Sequence, residues 1–209
     1  MPANESTLPP DLEERLLRAG FVAETDDHEF LAASLRARHP RQRILALRAM
    51  NRRGLLTRKD WLAVLADLDL DVRRDALSLI AYAEVAPEIL GIVRESLGDA
   101  DPLVVDAAIF ALGEHLDTES VVELARLACE HPDARCRESA VAALGVLGDD
   151  RGRAAVLAAL EDKPPVRRRA IVALANFEGP DVEAALALAA EDRDWQVRAA
   201  VDQLRKEPD

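Results

Sequence analysis

The chain has 209 residues, of which 49% are hydrophobic and 32% charged, and 39 acidic against 27 basic side chains give a formal net charge of −12. That much apolar material supplies an ordinary core and excludes a disordered chain, while the acidic balance disfavours nucleic acid and anionic membranes as average partners. Two cysteines without a secretory leader argue against a disulfide framework, no apolar run approaches the ~20 residues that span a bilayer, and a cytoplasmic setting is expected.

From the N-terminus, DLEERLLRAGF predicts an amphipathic helix over 11–20 with Leu12, Leu16 and Leu17 turned inward. A second short helix is expected over 27–38. Residues 1–26 read as a capping segment and 27–209 as one continuous array. Further along, Thr57 is an N-cap with Asp60 at the third helical position, and Pro87 suits a first turn because its missing N–H would be unpaired there anyway. Asp117 or Thr118, Asp149 or Asp150, and Gly179-Pro180-Asp181 open later helices. Between them, helices start at Asp101-Pro102, at His131-Pro132-Asp133, at Lys163-Pro164-Pro165 and at Asp194. Gly113, Gly145 and Gly148 are expected at helix ends in the left-handed conformation. No run of β-branched or aromatic residues has period two, so no strand is expected.

A pattern of Val-Arg, then Ala three residues on, then Ala-Leu, recurs through the chain. Its Arg column falls at 43, 73, 105, 137, 167 and 198, with Val105 standing in once, so the steps are 30, 32, 32, 30 and 31. Apolar positions three and four apart lie on one helix face, and a preceding helical segment in each copy makes the unit a hairpin. Tetratricopeptide units need aromatic positions that this chain lacks, and the Thr-Pro-Leu-His turn of ankyrin units does not occur.

An acidic loop followed by Val-Arg, Ala and Ala-Leu-Gly resembles the HEAT family. The short period resembles the HEAT-like subtype first described in phycobilisome lyases, over about residues 36–209. The resemblance implies an all-α fold, a right-handed α-solenoid of about five to six HEAT-like helical hairpins with an N-terminal helical cap. It also implies a ladder in which each Arg bonds loop acids of its own and adjacent units. The pairs are Asp67/Arg73, Asp99/Val105, His131/Arg137, Glu161/Arg167 and Asp192/Arg198. Val105 and His131 each break this ladder, so weaker stacking is expected around the third and fourth units.

Candidate chemistry is sparse. His28-Glu29, Glu114-His115 and Glu130-His131 read as surface or loop-end pairs. The HEAT-like deoxyhypusine hydroxylases hold two irons through His-Glu pairs just after the Arg column. Here those places carry Ile44-Leu45, Arg74-Asp75, Asp106-Ala107, Glu138-Ser139, Arg168-Arg169 and Ala199-Ala200, so no metal site is expected. Cys129 and Cys136 are expected to be inert packing residues. No phosphate loop or nucleophile elbow is present, and neither a catalytic residue nor a cofactor is expected.

One segment departs from the acidic average. Residues 36–59 hold Arg36, Arg38, Arg41, Arg43, Arg48, Arg52, Arg53, Arg58 and Lys59, and no acid. Arg41, Arg48 and Arg52 share a helix face at spacings of seven and four. This stripe suits an acidic protein partner, a phosphate run, or the chain's own acidic Glu24, Asp26, Asp27 and Glu29 folding over it. In a HEAT solenoid the second helices line the concave side. Five residues beyond the Arg column lie Arg48, Ser78, Phe110, Ala142, Val172 and Gln203, joined by Tyr82 and Asn176. This row describes a groove basic at one end and apolar in the middle.

The sequence therefore reads as a non-enzymatic interaction or scaffold module that binds a partner protein or peptide on its concave surface. The candidate contact residues are Arg41, Arg48, Arg52, Arg53, Arg58, Tyr82 and Phe110. A partner with an acidic segment is expected and a membrane is not. A subunit of a bilin-lyase-like or other enzyme complex is one alternative reading. Nucleic-acid binding through the basic patch is a second, disfavoured because later second helices present Asp106, Glu114 and Glu138. Arginine outnumbering lysine by 24 to 3 suggests a GC-rich bacterial source.

Overall fold

Aspartates at fixed intervals and alanine columns between them build a run of short helices in the computed structural model, which describes residues 7–22, 24 and 26–206. The α-helices are α1 (Pro10–Ala19), α2 (Asp27–Ser34), α3 (Pro40–Arg52), α4 (Arg58–Leu65), α5 (Leu70–Ile80), α6 (Pro87–Glu95) and α7 (Pro102–Glu114). They continue as α8 (Val121–Glu130), α9 (Ala134–Leu147), α10 (Asp150–Ala158), α11 (Pro164–Leu174), α12 (Pro180–Ala189) and α13 (Trp195–Leu204). No strand occurs among the described residues. No helix among them is long and apolar enough to cross a membrane.

Even-numbered helices are the first arms of hairpins, and α3, α5, α7, α9, α11 and α13 are the second arms. Contacts divide the chain into two compact units, Met1–Val93 and Arg94–Asp209. In the first unit α1 packs on α3 and α3 on α5, with α2 against α3 and α4 against α5. In the second, α7, α9, α11 and α13 pack in succession, with α8 against α9, α10 against α11 and α12 against α13, and α8 also meets α10. Helix α1 therefore packs on α3 from the side that a preceding second arm would occupy. Leu16 and Ala19 are its buried contacts, whereas Leu17 points to solvent at 49% exposure, contrary to expectation. Leu16 and Ala19 lie three apart on one stripe, which leaves Leu17 on the flank.

The helices start where side chains replace missing backbone acceptors. Asp69, Asp101, Asp133, Asp149 and Asp194 each accept the N–H two residues on. Thr57 and Asp60 form a reciprocal capping box. Asp117 and Thr118 do not cap α8. A 3-10 turn at Thr118–Ser120 precedes that helix, and the Asp117 carboxylate accepts instead from Arg94 at 2.9 and 3.0 Å.

Small residues set how closely second arms approach. Ala46, Ala76, Ala108, Ala140 and Ala170 are completely buried. Of the three glycines expected at helix ends, only Gly148 adopts the left-handed conformation, with φ 58°. Gly113 and Gly145 lie inside α7 and α9 and serve packing. A Cβ on Gly113 would lie 3.3 Å from Ala143 Cβ, and one on Gly145 would lie 2.6 Å from Ala173 Cβ. Cys136 is buried with its thiol 3.2 Å from the Pro102 carbonyl, and burial pushes its pKa up to about 11. Cys129 is exposed rather than packed.

The arginine ladder bonds both the arginine's own loop and the following one, as expected, but the carboxylate it takes is that of the following loop. Arg43 donates to both oxygens of Asp67 at 2.7 Å, Arg137 to Asp162 at 2.6 and 2.7 Å, and Arg167 to Asp192 at 2.8 and 2.7 Å. Each carboxylate lies 24 or 25 residues ahead, in the following loop. The same guanidinium donates backward to backbone carbonyls of its own loop: Arg43 to Ala37, Arg73 to Asp67, Arg137 to His131, Arg167 to Asp162 and Arg198 to Asp192. The loop acid before α11 is Asp162, not Glu161.

In this register the two expected breaks are one rung. Val105 takes the guanidinium's place, and His131 takes the place of its carboxylate in the following loop. Losing both together leaves no buried charge unpaired. His131 keeps the other task of that position, since its Nδ1 accepts the Asp133 N–H at 3.1 Å as Asp67 accepts that of Asp69 at 2.9 Å. Val105 is 1% exposed, and Ser139 donates to Asp106 between α7 and α9. Packing and this bond hold the interface that was expected to be weak.

Three outcomes follow for chemical denaturation. Val105→Arg alone should destabilise by roughly 3 kcal/mol, and Val105→Arg/His131→Asp should recover most of that loss; a double variant no more stable than the single one contradicts the register. Gly145→Ala should cost about 1–3 kcal/mol by overpacking against Ala173. Gly91→Ala, with nothing within 4 Å of the added Cβ, should gain about 0.5–1 kcal/mol.

Candidate functional site

Most of the basic stretch is already matched by the chain's own acids. Arg41 donates to Glu13 of α1 at 2.9 Å, Arg48 to Asp75 of α5, and Arg36 to Asp60 of α4 at 3.0 Å. Arg53 reaches Asp27 at 3.1 Å and the Ala19 carbonyl at 3.2 Å. Arg52 lies over the Phe21 ring, 4.1 Å from its centroid. Asp26 pairs with Arg15 rather than with the basic stripe. The Arg48 pKa is raised mainly by its bond to Asp75, which outweighs partial desolvation. Arg38, Arg58 and Lys59 are exposed and form no ion pair with a described residue.

The seven sequence-derived contact residues fall into separate settings. Arg41 and Arg48 border a groove of 500 Å³ between α3 and α5, where Arg74 makes a third cation and Asp69, Asp71 and Asp75 balance them. Arg52 and Arg53 face α1 and the turn that follows it. Arg58 opens α4, in the first-arm layer. Tyr82, 77% exposed, follows α5 in the first unit, and Phe110, 44% exposed, lies on α7 in the second. Glu24, Asp26 and Asp27 form a metal-sized trio, but Asp27 already accepts from Arg53 and from the Glu24 N–H.

In the second unit Phe110, Ala142, Val172 and Gln203 of the row read from the sequence line two grooves, together with Trp195, Arg168 and Arg169, which that row did not include. Between α11 and α13 lies a groove of 360 Å³ walled by Arg168, Arg169, Val172, Trp195, Gln196 and Ala199. Between α7 and α9 a second depression of 250 Å³ is bordered by Phe110, Glu138, Ala142 and Val146, and Arg169 lines both. Trp195 is 66% exposed at the first position of α13, a place held by Leu70, Pro102, Ala134 and Pro164 in the preceding second arms. Trp61, in contrast, is buried. The sequence signal was available, namely a tryptophan directly after a capping Asp and an Arg-Arg pair after the Arg column. The Arg168-Arg169 pair was read only as a place without a His-Glu metal pair, and Trp195 was given no role.

Four cap and ladder carboxylates are held below the ordinary carboxylate range. Asp133 and Asp149 fall to about 2, each through a side-chain bond first and a backbone N–H second, from Arg135 and Arg151 respectively. Asp162 and Asp192 are lowered by Arg137 and Arg167. These shifts serve architecture, because each partner arginine stands near the start of a helix and holds a cap or loop acid, and none borders the two grooves that contain Phe110 and Trp195.

Comparison with known proteins gives the same architecture. The model of HEAT repeats matches residues 59–145 and 92–165, together just over half of the chain. No curated protein matches the sequence. Among solved structures, YibA of Escherichia coli superposes with a TM-score of 0.65 at 14% identity, over 93% of this chain and 74% of that one. A designed armadillo repeat protein in complex with the peptide (KR)4 superposes at 0.59 and 13%, over 94% and 98% of the two chains. An engineered protein superposes at 0.57 and 18%, over 94% and 95%. With its hairpin repeat, arginine ladder and family match, the chain belongs to the HEAT-repeat family.

Proposed function

We propose that this protein is a non-enzymatic interaction module whose second helices hold a partner protein or peptide. The observation that carries this reading is the division of labour on those helices. One face is consumed by alanine packing and the Arg–Asp ladder, and the opposite face leaves Phe110, Val146, Val172 and Trp195 in solvent. Side chains of that size, exposed on a rigid frame, suit recognition better than chemistry. The similar designed armadillo protein was solved with a bound peptide, which supports the same use of the architecture.

The partner is proposed to carry an acidic segment, with Arg41, Arg48, Arg52, Arg53 and Arg58 as its contacts in the first unit, and Tyr82 of the first unit and Phe110 of the second as apolar ones. Glu13 on Arg41 and Asp75 on Arg48 already display the chemistry these arginines hold. An acidic partner would exchange with Glu13 in the exposed Arg41 pair, a trade that costs little because such pairs are worth about 0–1 kcal/mol. A cytoplasmic setting belongs to the same proposal.

Affinity capture from a bacterial lysate with wild type and Arg48→Glu/Arg52→Glu tests the basic contact. The expected outcome is loss of the captured acidic partner in the double variant, with helix content and melting cooperativity retained. Undiminished binding of every captured protein would remove 36–59 from the interface. Retention on DNA that the reversal abolishes would favour a nucleic-acid role instead.

A further inference from the structure

From the groove between α11 and α13 we infer a docking site for a peptide segment that places an aromatic or large apolar side chain on Trp195 and a neighbouring carboxylate on Arg168 and Arg169. The inference rests on the interaction reading above and assigns it a different contact surface and a defined partner chemistry. The ladder arginines of known partner close on carboxylates at 2.6–2.8 Å. Arg168 instead donates to the amide oxygen of Gln196 at 3.3 Å, and Arg169 stands 3.6 Å from Glu138. Both guanidinium groups thus hold weaker or longer partners than the ladder arginines do. A carboxylate is the stronger, bidentate acceptor for an arginine fork, so an incoming one displaces Gln196 favourably.

Trp195 supplies the apolar half. A tryptophan 66% exposed beside Val172, itself 53% exposed, leaves a large apolar surface in water, and Ala199 gives the groove a shallow floor. Tryptophan and arginine together are the residue types that dominate binding energy at protein interfaces. The 360 Å³ volume accommodates one aromatic side chain with its flanking backbone.

Charge selects among occupants. Arg168 and Arg169 repel a lysine–arginine peptide. Glu114 and Glu138 border the adjoining depression and oppose a polyanion that would run on along the second arms. One or two carboxylates beside an aromatic side chain satisfy both constraints, whereas a nucleic-acid strand does not.

The test is selection of a phage library of random dodecapeptides on the full chain, followed by fluorescence-anisotropy titration of the selected peptides. The expected result is enrichment of sequences with Asp or Glu next to Phe, Tyr, Trp or Leu. Trp195→Ala and Arg168→Ala/Arg169→Ala should each weaken binding about tenfold or more, as truncation of an interface anchor does. Arg126→Ala, at an exposed pair on α8 away from either proposed contact surface, should leave it unchanged. Trp195 is exposed, so its replacement spares the core, and an unchanged circular dichroism spectrum verifies this. If Arg48→Glu/Arg52→Glu abolishes binding while Trp195→Ala does not, the site lies at 36–59 and this inference falls while the interaction reading stands. Basic selected sequences, or tighter binding of a twelve-nucleotide thymidine strand than of any peptide, would overturn the inference. No enrichment at all would overturn it and count against peptide binding as a whole.

Discussion

A single arginine, held at one end by the loop before its own helix and at the other by an aspartate of the next hairpin, fixes the geometry from which the rest follows. Hydrophobic burial drives these helices together but is indifferent to direction. The guanidinium fork is not. Arg167, 4% exposed, directs Nη1 to the Asp162 carbonyl and places Nε and Nη2 on Asp192. Such a group is costly to bury alone and stable only with all partners in place, so it defines the register between successive hairpins. The alanine columns then allow the close approach that this register demands. The one missing rung respects the same logic, because guanidinium and counter-charge are absent together at Val105 and His131.

Concentrating the buried ion pairs at the loop edge, and small residues at the interhelical seam, leaves much of the solvent face of the second arms to exposed side chains. In the first unit that face is basic, and the protein covers part of it with α1 and with acids of α5. In the second unit it is aromatic and apolar, with Arg168 and Arg169 beside Trp195. The formal charge of −12 therefore conceals a mosaic in which acids cap helices and terminate ladder rungs, while cations remain on the second arms. An interaction module needs such a division, since a rigid frame keeps its binding side chains ordered before any partner arrives.

The period, the hairpin unit, the alanine columns and the capping aspartates were legible because each is a local spacing rule. The ladder was only half legible. Sequence spacing identified Asp67 and Arg73 as neighbours, but the carboxylate of Asp67 serves Arg43, a contact set by stacking rather than by any local distance. Gly113 and Gly145 misled for a related reason: a glycine near a helix end resembles a stop, whereas here its purpose is a neighbour's backbone passing close by. Leu17 and Cys129 showed that an apolar residue on a short helix can lie on the flank. Trp195 and the Arg168–Arg169 pair were visible as letters, but only the packing of α11 against α13 places them in one groove.

A double-mutant cycle on Arg167 and Asp192 bears most directly on the central claim that the ladder sets the register. Arg167→Met, Asp192→Asn and the combined variant would be compared by urea denaturation at neutral pH, where the lowered Asp192 pKa keeps this carboxylate ionised. A buried, bidentate pair predicts single losses that are strongly non-additive, with a coupling energy of roughly 1–3 kcal/mol. Losses that add to within about 0.5 kcal/mol would contradict the account and leave apolar packing alone as the source of register.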